Sequence, residues 1–335
     1  MNISIIGGDL RSVRLVENYA AEGNTIYTFG LENYNWKENT TSSSEEKNSE
    51  IVLCENLSEA MEKSNIVIGG IPFSRDGVKL NAPFARKEIL IEDFKKNLNG
   101  KKFFAGRILE ENFCPEENAS EYKPKIQMYD LLKDDELTIL NAIPTVEGAI
   151  KIAIDEREET IHESNVLVCG YGRIGKIACD RFSKLGANVY CTARKETDLA
   201  WIREKRFIPL TYPEVINFAS RFDIVINTVP TLIIKKEELD AFNKDVLLIE
   251  LASLPGGFDK EYIKQKGLKL ITAPGIPGKK MPRTAAKYIK KVIDKILDTV
   301  WYFFLFLFYK SEINICFSNF FVACCRNHLS ILKRK

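Results

Sequence analysis

The stretch "LVCGYGRIGK", Leu167 to Lys176, carries glycines at positions 170, 172 and 175. G-x-G-x-x-G is the spacing with which a backbone folds around a pyrophosphate, and each glycine has its own task. Gly170 makes the tight turn, Gly172 lets the main chain approach the phosphates, and Gly175 lets the next helix lie close to the strand. Tyr171, Arg173 and Ile174 complete the turn, and the free N–H groups that open the helix favour an anion. About 20 residues past such a turn, an NAD site carries Asp or Glu for the ribose 2′-hydroxyl. This chain reads "VYCTARKET" there, with Thr192, Ala193, Arg194 and Lys195 before the first acid at Glu196. A guanidinium at 194 and an ammonium at 195 suit a 2′-phosphate. NADP is therefore the expected cofactor, with NAD as the alternative.

Ligands of open α/β sheets bind outside the carboxyl ends of the strands. Three apolar runs end there in Pro- and Gly-bearing loops: Asn227-Thr228-Val229-Pro230, Ala252 to Gly257, and Ala273 to Gly278. Pro and Gly fix loop shape and bring backbone amides close to a ligand. Thr228 and Pro230 are accordingly expected beside the cofactor. Upstream, "NAIPTVEGA" places Thr145 as the N-cap of a helix running from about Val146 to Glu158. The start of that helix would point into the cleft. Glu147 is then either a first-turn acid stabilised by the helix dipole or a general base. His162 precedes the strand "NVLVC", at the amino end of the sheet, and is read as structural. With two histidines in the chain and no ligand spacing, no metal site is expected.

The elements that must position these groups alternate in type. Ile3 to Ile6, "TIYTFG", "EIVLC", "NIVIGG" and "KKFFAG" read as short strands. Helical stretches follow at Leu15 to Tyr19, Leu57 to Lys63 and Lys87 to Leu98. The polar, Ser-rich segment from Asn33 to Glu50 reads as an exposed loop. The second half repeats the pattern with "NVLVC", "ANVYCTA", "DIVINTVP", "DVLLIELAS" and "GLKLITAPG". After Gly172, Ile174, Ile177, Ala178, Phe182 and Leu185 share one helix face, and Gly186 stops the helix. The expected fold is α/β with two doubly wound domains: an N-terminal flavodoxin-like domain (1–145) and a C-terminal Rossmann dinucleotide-binding domain (146–298). Interdomain helices join them, the second from Pro282 to Leu297.

From Val300 the composition changes. Seven of the 20 phenylalanines and three of the eight cysteines fall in the last 36 residues, without Gly or Pro. The apolar run Val300 to Tyr309 is ten residues long, and a spanning helix needs about 20. Residues 299–335 are expected to lie outside the fold, with a peripheral anchor as the alternative. The amino terminus enters a strand directly, with no signal peptide expected. A net charge of +2 argues against a nucleic-acid partner. Cysteines without a C-x-x-C pair fit a reducing cytoplasm.

"LNAIPTVEGAI", "TIHESNVLVCGYGRIGK", "INTVP", "LASLPGGFD" and "APGIPG", in this order, resemble the dipicolinate synthase A-subunit family, as does the N-terminal "GGDLR". The resemblance covers residues 1 to about 297. It implies an oxidoreductase of spore formation, in the mother-cell cytoplasm, acting on a cyclic dihydro- or hydroxytetrahydrodipicolinate. It implies NADP as hydride acceptor, the flavoprotein-like dipicolinate synthase B-subunit for a partner, and self-association into a homo-oligomer. Two substrate carboxylates then need cations. Arg11 would face the cleft from the first domain, and Lys279 and Arg283 from the second. Thr145, Asn227 and Thr228 would orient the ring, Thr145 and Asn227 acting beside Glu147 in catalysis. Two alternatives stay open: a non-catalytic dinucleotide-binding scaffold within the complex, and an oxidoreductase like shikimate or alanine dehydrogenase.

Overall fold

The computed structural model describes residues 1–36, 50–113 and 126–312. Most of the Ser-rich loop expected at 33–50, and residues 313–335 of the atypical tail, lie outside the described residues. Met1–Lys290 forms one compact unit and residues 291–335 a second.

The first unit contains two six-stranded parallel sheets. The first is built from β1 (Asn2–Ile6), β2 (Thr25–Phe29), β3 (Glu50–Leu53), β4 (Ile66–Ile68), β5 (Lys102–Ala105) and β6 (Gln127–Asp130), in the order β3-β2-β1-β4-β5-β6. It carries helices α1 (Leu10–Ala21), α2 (Leu57–Glu62) and α3 (Ile91–Lys95). All strands run parallel, and the order in which they are added reverses at the β1/β4 boundary, so the sheet is doubly wound as expected, with a crevice at that boundary.

The second sheet follows helix α4 (Asp135–Asp155). Its strands are β7 (Asn165–Cys169), β8 (Asn188–Thr192), β9 (Ile208–Leu210), β10 (Ile224–Asn227), β11 (Leu247–Glu250) and β12 (Lys269–Thr272), in the order β12-β11-β10-β7-β8-β9. Helices α5 (Arg173–Lys184), α6 (Glu196–Glu204), α7 (Lys236–Ala241), α8 (Lys260–Lys266) and α9 (Ile276–Lys280) connect or follow these strands. Its switch point lies between β7 and β10.

The apolar runs become strands because both faces are covered. Val166, Leu167, Val168 and Cys169 of β7 are fully buried, as are Ile224 to Ile226 of β10. Gly186 sits just past α5 at φ +87°, the left-handed backbone that ends a helix cheaply only at glycine. In the first domain, Phe73, Phe94, Phe103 and Phe113 pack with ring centroids 5.1–6.0 Å apart. This pins the long loop after β4 to the sheet.

Three local expectations are corrected. The helix expected at Lys87 to Leu98 is confined to Ile91–Lys95, because Ile89 and Leu90 pair with the loop after β4 instead. The Leu80 N–H donates to the Ile89 carbonyl (2.9 Å) and the Ile91 N–H to the Val78 carbonyl (3.0 Å). The helix expected to start at Val146 starts eleven residues earlier at Asp135. Its N-cap is Asp134, whose carboxylate accepts from the Leu137 N–H at 2.7 Å, and Asp135 and Glu136 complete an acidic first turn. Pro144 lies inside this helix, and Thr145 is an interior residue whose hydroxyl donates to the Asn141 carbonyl (2.8 Å). The helix beginning at Pro282 runs to Glu312 rather than Leu297. Among the described residues, Asp135–Asp155 is the one helix long and apolar enough to cross a membrane. Here its residues Leu137, Ala142, Val146, Ala149 and Ala153 are buried in the protein.

Candidate functional site

The glycine loop joins β7 to α5. Gly170 has φ +95°, and a Cβ there would fall 2.6 Å from Val229 Cγ2 and 2.9 Å from Thr228 Oγ1. The loop after β10 therefore rests directly on it. A Cβ on Gly175 would lie 1.9 Å from the Gly170 carbonyl oxygen, so glycine is what allows the helix to approach the strand. At Gly172 a Cβ would meet nothing within 4 Å. That glycine faces open space. Gly172 is also the N-cap of α5 and offers no side chain, so the first-turn N–H groups have no capping partner. An open cradle of unmatched donors at the start of a twelve-residue helix fits a pyrophosphate. Arg173 stands at the rim, its guanidinium 2.5 Å from the Asp135 carboxylate of α4. The Lys176 ammonium lies 5.3 Å from the Tyr171 ring centroid. Burial pushes the Tyr171 phenol above its ordinary pKa.

The sequence places Thr192 against the cofactor; in the structure it lies beneath the glycine loop. It is fully buried, and its hydroxyl accepts from the Gly170 N–H at 3.1 Å. It holds the glycine loop from behind. Past it, Arg194, Lys195 and Glu196 are exposed at the carboxyl end of β8. Sequence reasoning misses Tyr212, at the start of the 3-10 helix Tyr212–Arg221. Its phenol meets the Thr192 hydroxyl with Arg194 nearby, and burial raises its pKa. The signal is weak: β9 has three residues, including Pro209 on a sheet edge, so its end is hard to place.

In the loop after β10, Thr228 Oγ1 donates to the Cys169 carbonyl at 2.8 Å. Asn227, expected to orient substrate, is completely buried with its amide fully engaged. Its Nδ2 donates to Glu250 Oε1 (2.6 Å) and the Val229 carbonyl (2.9 Å), and its Oδ1 accepts from the Val229 N–H (3.1 Å). Glu250, at the end of β11, does not stand out in the sequence. It is 1% exposed and also accepts from the Ala252 N–H (3.0 Å) and the Gly257 N–H (2.7 Å). The Asn227–Glu250 pair thus ties together the loops after β10 and β11. It shapes the crevice without facing it. Pro230 is exposed at its lip.

The cation expected from the first domain is also committed elsewhere. Arg11 is paired bidentately with Asp9, Nε to Oδ1 at 2.9 Å and Nη2 to Oδ2 at 2.7 Å, and Nη2 also donates to the Ile71 carbonyl. Its side chain is 11% exposed. A Cβ on Gly278 would fall 2.5 Å from Asp9 Oδ2 and 2.9 Å from Arg11 Nε. The Asp9–Arg11 pair is therefore the surface on which α9 of the second domain rests. Likewise a Cβ on Gly148 would lie 2.3 Å from Ile276 Cγ2, so α4 and α9 are in close contact. Lys279 and Arg283 are exposed. Glu147 is exposed on α4 in its interior, so the first-turn alternative is removed. His162 is exposed at the amino end of β7, away from the glycine loop, and its ring lies against Gly186. Among the described residues no cluster of His, Cys, Asp or Glu fits a metal ion.

Residues 2–120 match the family model for the N-terminal domain of the dipicolinate synthase A-subunit. Over 304 residues the chain is 30% identical to the dipicolinate synthase A-subunit of Bacillus subtilis (strain 168), covering 90% of this chain and 97% of that one. The chain belongs to the dipicolinate synthase A-subunit family. Two solved dipicolinate synthase structures of this family agree. That of Bacillus subtilis aligns with a TM-score of 0.74 and 28% identity, over 90% of this chain and 97% of its own. That of Bacillus halodurans aligns with a TM-score of 0.72 and 27% identity, over 88% and 97%. Residues 146–253 match the NAD-binding domain of D-isomer specific 2-hydroxyacid dehydrogenases. This member of the dipicolinate synthase family is thus a dehydrogenase-type oxidoreductase with a nicotinamide-dinucleotide-binding domain.

Proposed function

We propose that this chain is the dehydrogenase component of a dipicolinate synthase, converting a cyclic dihydrodipicolinate to pyridine-2,6-dicarboxylate with NADP. The observation that carries the cofactor choice is the exposed Arg194 and Lys195 at the end of β8, with no acid where NAD's ribose would be held. The dinucleotide, when bound, supplies the acceptor for a hydride from a ring carbon. Loss of that hydride and one proton makes the ring aromatic; a hydroxytetrahydro precursor must lose water first. The chain has to hold two carboxylates, keep the ring beside the glycine loop, and take up the proton. Exposed Glu147, on the helix that packs against α9, is the base in this reading. Thr145 and Thr228 position the ring, and the buried Asn227 fixes the loop that bears Thr228. Lys279 and Arg283 draw the anionic substrate in from solvent. The partner is the flavoprotein-like B-subunit, the self-association is a homo-oligomer, and the compartment is the mother-cell cytoplasm.

The test is cofactor titration followed by assay of freshly prepared precursor, with and without the B-subunit. Tight NADP binding and the appearance of dipicolinate absorbance are expected; no absorbance in either condition refutes the proposal. Replacing Arg194 and Lys195 together by Ser is expected to weaken NADP by about tenfold or more while leaving NAD unchanged. Equal loss for both cofactors would place these cations away from the 2′-phosphate. Glu147→Gln is expected to lower kcat by about a hundredfold or more with NADP affinity intact. Unchanged turnover would remove Glu147 from the chemistry and favour a chain that binds dinucleotide without itself catalysing.

A further inference from the structure

The first sheet has its own crevice at the β1/β4 switch point, and there the structure holds a cavity of about 480 Å³. That lies within the range of about 300–1,000 Å³ typical of small-molecule pockets. Its walls come from the loop after β4, residues 75–89. Glycines at the carboxyl ends of β1 and β2 let this loop settle close to the sheet. A Cβ on Gly7 would fall 2.9 Å from Ala82 Cβ, and one on Gly30 2.7 Å from Ile89 Cδ1; both neighbours line the cavity. The Gly8 N–H donates to the Asn81 carbonyl at 2.8 Å. The cavity is next to the contact between the two domains: Arg11 bonds the Ile71 carbonyl in the same loop, and Gly278 of α9 rests on Arg11.

The charges around it do not cancel. Lys79 is paired with Glu88. Asp76 is engaged by the N–H groups of Val78 (2.9 Å) and Lys79 (3.0 Å). Glu32, from the loop after β2, accepts from the Gly30 N–H and from the backbone N–H of Arg86. Among the described residues the Arg75 guanidinium has a neutral partner, Asn81 Oδ1 at 3.2 Å, and no ion pair. The guanidinium of Arg86 has no ion pair among the described residues. Two exposed guanidiniums on one concave wall, each without an acid among the described residues and with the exposed Lys87 on the same wall, are the donor set that planar carboxylates fit.

We infer that this cavity is the substrate-carboxylate pocket, in which Arg75 and Arg86 each bind one carboxylate of a small cyclic dicarboxylate. The inference rests on the proposed function for the identity of the dicarboxylate. It replaces Arg11, which is committed to the domain contact, as the cation from the first domain.

The test is calorimetric titration of the full chain with dipicolinate, picolinate and inorganic phosphate. Wild type is compared with Arg75→Gln, Arg86→Gln, the double variant, and Lys96→Gln as an exposed cation outside the cavity. Each single cavity variant is expected to weaken dipicolinate by about tenfold or more, and the double variant to abolish it, with Lys96→Gln unchanged. Picolinate, with one carboxylate, should bind wild type about as weakly as dipicolinate binds a single variant. Unchanged melting temperature and NADP affinity show that the variants fold. If wild type binds dipicolinate and both variants bind it equally well, the inference fails and the proposed function survives. If phosphate binds as tightly as dipicolinate and is lost in the same variants, the cavity is a general anion site and the substrate assignment fails. If wild type binds no dipicolinate, the substrate reading and this inference fall together.

Discussion

Gly175→Ala is expected to abolish dinucleotide binding and to destabilise the second domain. The added Cβ would lie 1.9 Å from a backbone oxygen, that of Gly170, which cannot rotate away as a side-chain end can. Either α5 lifts off β7 or the turn at Gly170 opens. Lifting α5 exposes Ala178, Cys179 and Phe182, which are buried beneath it. Overpacking of this kind costs about 1–3 kcal/mol, and the moved helix no longer aims its N–H groups at the phosphates. A fall in NADP affinity of about a hundredfold or more should accompany a lower melting temperature. Gly172→Ala makes the contrast. Its Cβ would meet no protein atom within 4 Å, and its φ of −81° suits any residue. Its melting temperature should match wild type while NADP binding weakens, because the methyl group meets the ligand alone. If Gly172→Ala binds NADP as wild type does, the pyrophosphate does not lie against this turn.

Glu250→Ala should be the most damaging single substitution in the loops of the crevice. It removes the acceptor of three buried donors, Asn227 Nδ2 and the N–H groups of Ala252 and Gly257. Stranding buried donors costs about 1–3 kcal/mol each. With partial rearrangement a loss of about 3 kcal/mol or more is expected, measured by denaturant unfolding. Glu250→Gln should lose less, since its remaining oxygen can keep some of these bonds. Asn227→Ala should couple strongly with Glu250→Ala in a double-mutant cycle, because the two share one bond at 2.6 Å. Additive losses would mean that the two loops are held independently.

The second domain is legible in the sequence because its signals are local and agree with each other. Near-continuous apolar runs mark strands covered on both faces, and the glycine spacing fixes the turn between β7 and α5. The first domain is legible as strands and helices. Its loop after β4 is not, because residues 74–91 pair with one another at long spacing and show no period. The joint misleads for a specific reason: Pro144 reads as a helix start, although Asp134, Asp135 and Glu136 form the stronger N-terminal signal ten residues before it. Site cations are the hardest to assign. An arginine looks equally available in a sequence whether it will be locked to a neighbouring aspartate, as Arg11 is, or left without an acid among the described residues, as Arg75 is. That difference arises from long-range packing, through Gly278 and the Ile71 carbonyl.

The helix Asp135–Asp155 joins the sheets as a strut, followed by the short loop 156–164 before β7. Its first turn is fastened to the glycine-loop helix through Asp135 and Arg173, and its middle is pressed against Ile276 at Gly148. Opening of the mouth between the two sheets therefore bends this strut or turns about residues 156–164, the loop between it and β7. Within the strut the softest point is Pro144, where no N–H is available to reach back to Leu140. Thr145 follows it, its hydroxyl bonded to the Asn141 carbonyl. The segment that marks the family in the sequence, "NAIPTVEGA", is then the elastic element of the molecule, and stiffening it should slow the entry and exit of ligands before it alters how tightly they are held.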